Sequence, residues 1–358
     1  MAGKVLIIGA GAIGGVTGAI LHQAGVDVSI LTRKGKNYDA IKKNGLIIVG
    51  KDKPFPVPIY NDIKQLSEPF DHILVAVKNV DTENAVKKLK KLVSKETLIY
   101  SLQNGFGNTD VMRKHLPKEQ IVAGVVGWGA TYLGEGKFSI TSTTGDFILG
   151  FEDGKNVADP RLLEIQKLLS IWKPTILTDN IIGFRWSKLF VNSIIAPMGG
   201  LLLLTLGAML KHPKIAPIMG NCRDECIVVA EAHNIQLEKV DGMNIRNFFY
   251  KPTPNDGFFR RISGNLMSKI IINVSARRHG NIYPSLLVDL DRGRKTEVDY
   301  LSGYVMKKGK EKKIPTPINA FLVKAIHEIE NGKRAIGMEN YQDLAKAAVL
   351  SQEKIKDR

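Results

Sequence analysis

The first half of the chain alternates short apolar runs with segments of helical periodicity. Residues 5–8 and 73–77 are continuous apolar runs bounded by polar or turn-forming residues, which is typical of strands buried on both faces of a parallel sheet. Further strands are predicted at 26–31, 46–49, 57–60, 97–102, 121–126 and 175–177, and helices at about 12–24, 82–93 and 162–171. This alternation predicts an α/β fold with a Rossmann-type, doubly wound sheet. Residues 138–140 and 147–149, joined by a polar stretch, predict a β-hairpin.

The pattern changes at about residue 181. Strand-length runs stop there, and long helical stretches follow at 184–196, 215–232, 258–277, 295–308, 318–331 and 341–353. The change predicts a Rossmann-type domain over residues 1–180 and an all-α C-terminal domain over residues 181–358. A length of 358 residues also favours two domains, at roughly 100–200 residues each.

One apolar segment is long enough to cross a bilayer. Residues 189–210 carry no charge. Pro197 lies near the middle, however, and proline breaks or kinks a helix interior. We therefore expect two shorter buried helices around a break at 197–200 and no membrane span. The Leu-rich stretch 201–210 is a candidate subunit contact of a homodimer.

A glycine motif follows the first predicted strand directly. Gly9, Gly11 and Gly14 form a GxGxxG pattern between a strand and a helix, which is the context of a dinucleotide-binding loop. The first glycine allows a tight turn, the second lets a pyrophosphate approach the backbone, and the third allows close helix packing. Gly9, Gly11, Ile13 and Gly14 are thus candidate cofactor-binding residues.

The residues at the end of the second strand indicate which dinucleotide the protein binds. NAD-dependent enzymes usually place an acid there to bind the ribose 2′-OH, but residues 30–34 read Ile-Leu-Thr-Arg-Lys. Arg33 can pair with a 2′-phosphate, which a carboxylate would repel. The sequence therefore favours NADP(H) as the cofactor. The alternative interpretation, that Arg33 is an ordinary solvated charge of the loop, stays open.

Polar side chains follow two other predicted strands. Lys78 comes after 73–77, and Asn104 follows 97–102, so both are expected at the carboxyl edge of the sheet, where ligands bind in such folds. In the second half, Lys188 and Asn192 are four residues apart in a mostly apolar helix and share one face. A lysine there either extends its ammonium to the solvent or is held inside as a proton donor, and periodicity alone leaves both open.

Composition narrows the function classes. The formal net charge is +16, which favours anionic partners, but the basic residues are scattered and show no stripe with interleaved aromatics, so nucleic acid is not expected as a partner. Cys222 and Cys226 are the two cysteines, too few for a disulfide framework or a metal site. We expect a cytoplasmic enzyme without a metal.

Five segments, KVLIIGAGAIGG, VAVK, SLQNGFG, WSKLFVNSIIAP and RGRKTEVDYLSG, occur in this order along nearly the whole chain. Through them the sequence resembles the ketopantoate reductase (2-dehydropantoate 2-reductase) family, and the last two are the more specific. The resemblance implies NADPH-dependent reduction of ketopantoate to pantoate, a step toward pantothenate and coenzyme A. It also implies these roles: Lys188 as general acid, Asn192 and Ser285 binding the substrate, Glu297 holding the substrate hydroxyl or orienting Lys188, and Asn104 and Lys78 at the nicotinamide and substrate end.

Two departures from the family pattern concern the substrate. Ala196 stands before Pro197, where the family commonly has a second Asn, and residues 284–289 read Pro-Ser-Leu-Leu-Val-Asp where it favours Ser-Ser-Met-Leu-x-Asp. They leave open a paralogous NADPH-dependent reductase of another branched 2-oxo or imino acid. A non-catalytic NADP(H)-sensing protein is the third alternative, and the presence of Lys188 and Glu297 argues against it.

Overall fold

The chain forms two compact units, Met1–Arg185 and Trp186–Arg358. The computed structural model describes residues 3–66, 68–239, 242, 244–249, 257–280 and 284–356. The described strands belong to the first unit, and the described part of the second unit is helical. The α/β fold class followed by an all-α region is thereby confirmed. The predicted domain division at 180/181 lies five residues before the division between the two units.

Eleven strands are described. They are β1 Val5–Ile8, β2 Val28–Leu31, β3 Ile47–Ile48, β4 Ile59–Tyr60, β5 His72–Val75, β6 Leu98–Ser101, β7 Ile121–Val126, β8 Gly129–Gly134, β9 Lys137–Ser142, β10 Phe147–Gly150 and β11 Thr175–Leu177. The main sheet has the order β11-β10-β7-β6-β5-β1-β2-β4, and its neighbours are parallel except β10 and β7. From β1 the chain moves to β2 on one side, and later from β5 to β6 on the other. The switch point therefore falls between β1 and β5.

Both faces of this sheet are covered. Val5 and Ile7 of β1 pack into one apolar cluster, and Leu6 and Ile8 pack into another, because successive side chains of a strand point to opposite faces. The helices that cover the sheet are α1 Ala12–Gln23, α2 Lys36–Asn44, α3 Thr82–Val86, α4 Asn108–Arg113 and α5 Pro160–Ser170. The continuous apolar runs were thus correctly interpreted as strands buried on both faces.

The predicted hairpin of 138–140 and 147–149 is wrong. β9 pairs with β8 and with β3 in a separate three-stranded sheet, whereas β10 pairs with β7 and β11 in the main sheet. The Gly127 amide donates to the Asp146 carbonyl at 2.8 Å, so the chain leaves the main sheet after β7 and returns to it at this point. A Cβ on Gly145 would lie 2.5 Å from the Gly127 carbonyl carbon, which is why glycine stands there.

The predicted helix over 82–93 is only partly formed. α3 ends at Val86, and a 3-10 turn covers Leu89–Leu92. Val86, Leu89 and Leu92 are three residues apart, which is the period of a 3-10 helix, and all three are buried. Tertiary packing at that spacing replaces the second half of the α-helix.

The second unit is built from long helices. They are α6 Ile181–Leu202, which begins in the first unit, α7 Leu206–Lys211, α8 Ala216–Ala232, α9 Phe258–His279, α10 Ser285–Asp291, α11 Ser302–Glu311, α12 Pro317–Glu330 and α13 Tyr341–Lys356. In the described part of the chain, no helix is both long enough and apolar enough to cross a membrane.

α6 corrects the predicted break at 197–200, because it continues through Pro197. Proline has no N–H, so the Ser193 carbonyl four residues earlier loses its helical donor. The Ser302 hydroxyl donates to that carbonyl instead, at 3.0 Å. The helix therefore continues through Pro197, because a side chain from another segment supplies the missing donor.

The Leu-rich stretch after Pro197 is not a surface patch. Four of its leucines are at most 7% exposed: Leu201, Leu202, Leu206 and Leu210. Leu203 is 57% exposed. These side chains belong to the core of the second unit, which removes the basis for the predicted subunit contact at 201–210.

The predicted helix over 295–308 is also wrong in its first half. A 3-10 turn covers Val298–Tyr300, and α11 begins only at Ser302. The Val298 amide bonds to the Thr296 hydroxyl at 3.3 Å, a local contact that competes with helix formation. Glu297 consequently lies in a loop and does not share a helical face with Leu301.

Candidate active site

The glycine loop lies at the switch point of the sheet. Gly9 has φ +110°, and a Cβ there would lie 2.9 Å from Val77 and 3.1 Å from the Ala76 backbone. A Cβ on Gly14 would lie 2.2 Å from the Gly9 carbonyl oxygen. Both glycines are therefore fixed by close packing between the end of β1, the start of α1 and the end of β5.

Gly11 differs from its neighbours. A Cβ on Gly11 would meet only the Ala76 oxygen, at 3.8 Å, so the packing of the protein gives no reason for glycine there. Gly11 is the N-cap of α1, it supplies no side-chain cap, and the helix is 12 residues long. The positive end of α1 and the open space beside Gly11 fit a pyrophosphate that approaches the backbone. Ile13, in the first turn, is partly exposed.

Arg33 follows β2 on the surface. Its side chain is 80% exposed, and its guanidinium lies 3.9 Å from the Asp81 carboxylate, itself 45% exposed. An ion pair this exposed contributes at most about 1 kcal/mol. Arg33 is thus accessible to an anionic ligand, and residues 31–34 include no acid that would oppose a 2′-phosphate.

Asn79 and Asn104 connect the ends of β5 and β6. Lys78 and Asn104 follow these strands, and both side chains are exposed. Asn79, beside Lys78, is 1% exposed, and its Nδ2 donates to the Asn104 carbonyl at 2.7 Å. Gln103 is also buried and donates to the Val77 carbonyl at 2.9 Å. The two exposed candidates therefore lie on strand ends whose neighbouring residues are fixed to each other.

The loop after β6 has a further support that the sequence did not indicate. Arg185, 4% exposed, donates to the Gly105 carbonyl at 3.2 Å and to Asn108 Oδ1 at 2.8 Å, and it forms an ion pair with Glu152. Its guanidinium also lies 4.2 Å from the ring centroid of Phe106. No short motif links these residues, so only the fold could bring them together.

In the second unit, Lys188 and Asn192 lie on the more open side of α6. Positions 188, 191, 192 and 195 are partly exposed, whereas 186, 187, 189, 190, 193 and 194 are buried. The partly exposed positions follow helical spacing and form one stripe. Lys188 is therefore neither sealed in the core nor fully in solvent, and it shares this stripe with Asn192.

Glu297 and α6 belong to segments that pack on each other. Glu297 is 7% exposed and directly precedes the turn Val298–Tyr300. The same segment reaches α6 through the Ser302–Ser193 hydrogen bond and through an edge contact between Trp186 and Tyr304, whose ring centroids are 5.8 Å apart. The two most specific sequence segments are thus neighbours within the second unit. Ser285 is exposed and is the first residue of α10.

Comparison with known proteins gives the family. Residues 5–154 match the family model described as Ketopantoate reductase PanE/ApbA, and residues 180–330 match Ketopantoate reductase PanE/ApbA C terminal. The chain belongs to the ketopantoate reductase family. It is accordingly a nicotinamide-dependent oxidoreductase that acts on a small 2-oxo acid.

Individual relatives agree with this assignment. The 2-dehydropantoate 2-reductase of Aquifex aeolicus is 27% identical over 327 residues, which are 90% of this chain and 96% of the relative. That of Pyrococcus horikoshii is 28% identical over 334 residues, 92% of this chain and 100% of the relative. The family resemblance seen in the sequence segments is thereby confirmed.

Solved structures share the fold. A ketopantoate reductase from Ralstonia eutropha has a TM-score of 0.75 at 24% identity, covering 93% of this chain and 100% of that one. A D-mandelate dehydrogenase in complex with NADH and anilino(oxo)acetate has a TM-score of 0.76 at 24% identity, covering 92% and 99%. At this level of identity, the likeness concerns the fold.

The cysteines of this ketopantoate reductase family member are packing residues. Cys222 and Cys226 are at most 1% exposed, and hydrogen bonding to Cys226 together with burial raises the pKa of the Cys222 thiol. A protonated thiol is a poor nucleophile and a poor metal ligand. Within the described ranges, no three His, Cys, Asp or Glu side chains are grouped to hold a metal ion.

Proposed function

We propose that this chain reduces ketopantoate (2-dehydropantoate) to pantoate with NADPH. The observation that carries the proposal is the packing of residues 292–304 on α6, through the Ser302–Ser193 hydrogen bond and the Trp186–Tyr304 ring contact. This packing assembles, in one unit, the two sequence segments that are most specific to the family. Lys188 and Asn192 lie on the partly exposed stripe of the same helix.

The first unit offers the groups that NADP(H) requires. The Gly11 backbone and the N-terminus of α1 would hold the pyrophosphate, with Gly9, Gly14 and Ile13 shaping the loop. Arg33 would bind the 2′-phosphate through two parallel hydrogen bonds. Lys78 and Asn104 would bind the nicotinamide end. The cofactor, when bound, supplies a hydride to the ketone carbon.

Lys188 acts as the general acid in this proposal. As the ketone carbon gains the hydride, negative charge develops on the ketone oxygen, and the Lys188 ammonium stabilises and then protonates it. Asn192, Ser285 and Asn104 bind the substrate's polar groups. Glu297 accepts a hydrogen bond from the substrate hydroxyl or from Lys188. In the balanced reaction, the 2-oxo acid, NADPH and one proton are converted to the 2-hydroxy acid and NADP⁺.

A second candidate substrate class has an observation in its favour. Ala196, 6% exposed, stands where the family commonly carries an Asn, and this replacement removes two donors and one acceptor. The same fold also serves a D-mandelate dehydrogenase, so the fold does not select one oxo acid. A branched or larger 2-oxo or imino acid is therefore the alternative substrate.

A substrate panel tests the proposal. Purified protein is assayed for NADPH oxidation at 340 nm with ketopantoate, other branched 2-oxo acids, benzoylformate and cyclic imino acids. We expect the highest kcat/KM with ketopantoate. A higher value with another acid would select the second candidate, and NADPH binding without turnover of any acid would contradict both.

Cofactor preference is tested separately at Arg33. Arg33→Asp should weaken NADPH binding by about 10- to 100-fold, because a charge-assisted pair becomes a repulsion, while NADH binding changes little. Lys34→Asp is the matched control, since Lys34 is also exposed and stands next in sequence. An unchanged NADPH to NADH ratio for Arg33→Asp would contradict the 2′-phosphate assignment.

A further inference from the structure

We propose that Arg185 and Glu152 are positioning residues for the reaction: their buried ion pair fixes the loop 104–109 and thereby the placement of Asn104. This inference rests on the proposed function, in which Asn104 binds at the nicotinamide end. Arg185 precedes the WSKLFVNSIIAP segment, and Glu152 follows β10, so the pair joins elements that are distant in sequence.

The loop needs external support. Gly105 and Gly107 have φ +71° and +90°, and glycine backbones of this kind are intrinsically permissive. The Asn104 and Gly105 carbonyls accept from side chains: Asn79 donates to the first and Arg185 to the second. The loop's order therefore depends on side chains from elsewhere in the first unit.

Arg185 contacts the loop along most of its length. Its guanidinium donates to Gly105 and Asn108 and faces the Phe106 ring, and it lies 3.5 Å from the Thr109 hydroxyl. Asn108 is fully buried and donates in turn to Asn79 Oδ1 at 3.2 Å. A single planar guanidinium thus holds several residues of the loop, and Asn108 links it to Asn79.

Glu152 fixes the guanidinium in this orientation. Its carboxylate pairs with Arg185, accepts from the Thr109 hydroxyl at 2.8 Å and lies 2.5 Å from the Arg113 guanidinium. The Glu152 side chain is 17% exposed and that of Arg185 is 3% exposed, so water competes weakly for either partner. Removing one partner leaves a buried charge and releases several loop contacts at once.

The positioning role predicts an effect on turnover that exceeds the effect on stability. A shift of a binding group by about 1 Å can cost about 100-fold in rate. Arg185→Met should therefore lower kcat with the best oxo acid by about 100-fold, and Arg185→Lys, which keeps the charge but loses the fork, by about 10-fold. NADPH affinity should fall much less, because the pyrophosphate and 2′-phosphate groups lie elsewhere.

The experiment compares Arg185→Met, Arg185→Lys and Glu152→Gln with Arg161→Met. Arg161 is the matched control, since it pairs with Asp159 at 2.7 Å in the same unit but contacts the Lys95 and Glu96 carbonyls rather than the loop. The readouts are kcat and KM well below the melting temperature, NADPH affinity, and hydrogen–deuterium exchange of the peptide that contains 104–109.

The expected result is faster exchange of that peptide and reduced kcat in the Arg185 and Glu152 variants, with neither change in Arg161→Met. Unchanged exchange and kcat in Arg185→Lys and Glu152→Gln would overturn the inference, even if Arg185→Met does not fold. Faster exchange with wild-type kcat would overturn it as well. A wild-type enzyme inactive with every oxo acid would refute the proposed function instead, and the exchange data would still show whether the pair fixes the loop.

Discussion

The candidate residues of the two units are held in place by different forces. In the first unit, the loop after β1 keeps its shape by backbone fit, since a Cβ on Gly14 would lie 2.2 Å from the Gly9 oxygen. In the second unit, α6 keeps its shape through side chains. Ser302 completes the bonding of the Ser193 carbonyl, and the Ser187 hydroxyl donates to the Glu238 carbonyl at 2.7 Å.

The difference determines how each region responds to substitutions. A turn held by close backbone packing needs no side-chain hydrogen bond but tolerates no added atom, whereas a helix held by side-chain hydrogen bonds tolerates added atoms but depends on each donor. Order of the first kind depends on the loop itself and on the backbone at the end of β5, against which Gly9 packs. Order of the second kind requires side-chain donors from residues about a hundred positions apart, as Ser193 and Ser302 are. Under the proposed function, we therefore expect substitutions in the two regions to separate nucleotide binding from catalysis.

The largest expected effect is the loss of turnover when Lys188 is replaced. Lys188→Ala should lower kcat by about 100- to 10,000-fold, because the developing oxyanion loses its proton donor. NADPH affinity should stay nearly unchanged, because the proposed nucleotide contacts come from the first unit. Steady-state kinetics and NADPH fluorescence titration measure the two quantities.

Lys211→Ala is the control for Lys188, because Lys211 is an exposed lysine at the end of α7. It should retain wild-type kcat. Wild-type turnover in Lys188→Ala would show that another group donates the proton.

The next effect concerns two glycines only three positions apart. Gly14→Ala should lower the free energy of unfolding by about 3 kcal/mol or more, because its Cβ meets backbone that has nowhere to move. Gly11→Ala should leave stability within about 0.5 kcal/mol, since its Cβ meets nothing closer than 3.8 Å. It should still weaken NADPH binding, because the methyl group enters the space proposed for the pyrophosphate.

Urea unfolding and NADPH titration of both variants test this contrast. Equal destabilisation by the two substitutions would contradict the view that Gly14 serves packing and Gly11 serves a ligand.

The sequence predicted the first unit well where order is local. Continuous apolar runs such as β1 and β5 have few alternatives to a strand buried on both faces, and the glycine loop is recognised from its spacing and from the strand and helix that flank it. It failed at β9 and β10, which were predicted to pair with each other but lie in different sheets. The chain returns to the main sheet at the close approach of Gly127 and Gly145, which no periodicity reveals.

In the second unit the failures arise from side-chain hydrogen bonds to the backbone that periodicity does not reveal. Pro197 should break a helix by local rules, and it does not because Ser302 supplies the missing donor from far along the chain. Glu297 should continue a helix by periodicity, and it does not because Thr296 takes the next amide. In the first unit, the Arg185–Glu152 pair was not predicted because the contact spans 33 positions without a motif.

A smaller effect tests the long-range support of α6. Ser302→Ala leaves the Ser193 carbonyl without the donor that replaces the Pro197 amide, and an unsatisfied buried acceptor costs about 1–3 kcal/mol. The free energy of unfolding should fall by that amount, whereas Ser170→Ala, at the exposed end of α5, should change it by less than about 0.5 kcal/mol. No loss in Ser302→Ala would mean that α6 bridges Pro197 without this bond.

The smallest expected effect is a pH dependence of the stabilisation by Glu152. The glycine loop should show no such dependence. Burial opposes the ionisation of Glu152, but Arg185 and Arg113 outweigh it and hold the pKa of this carboxyl below its usual value of about 4.3. The stabilisation from the ionised group is therefore complete above the unfolded-state pKa and is lost as the pH falls through the lower folded-state pKa. Glu152→Gln should thus lie below the wild type in unfolding free energy by a constant amount near neutral pH, and the gap should narrow below about pH 4.

Urea unfolding of the wild type, Glu152→Gln and Gly11→Ala at a series of pH values measures this gap. The gap between the wild type and Gly11→Ala should stay constant with pH, because no titrating group lies behind it. A gap for Glu152→Gln that widens in acid would mean that the folded state raises the pKa of Glu152. In that case burial would dominate over the two arginines, and the loop 104–109 would be fixed by neutral hydrogen bonds rather than by an ion pair.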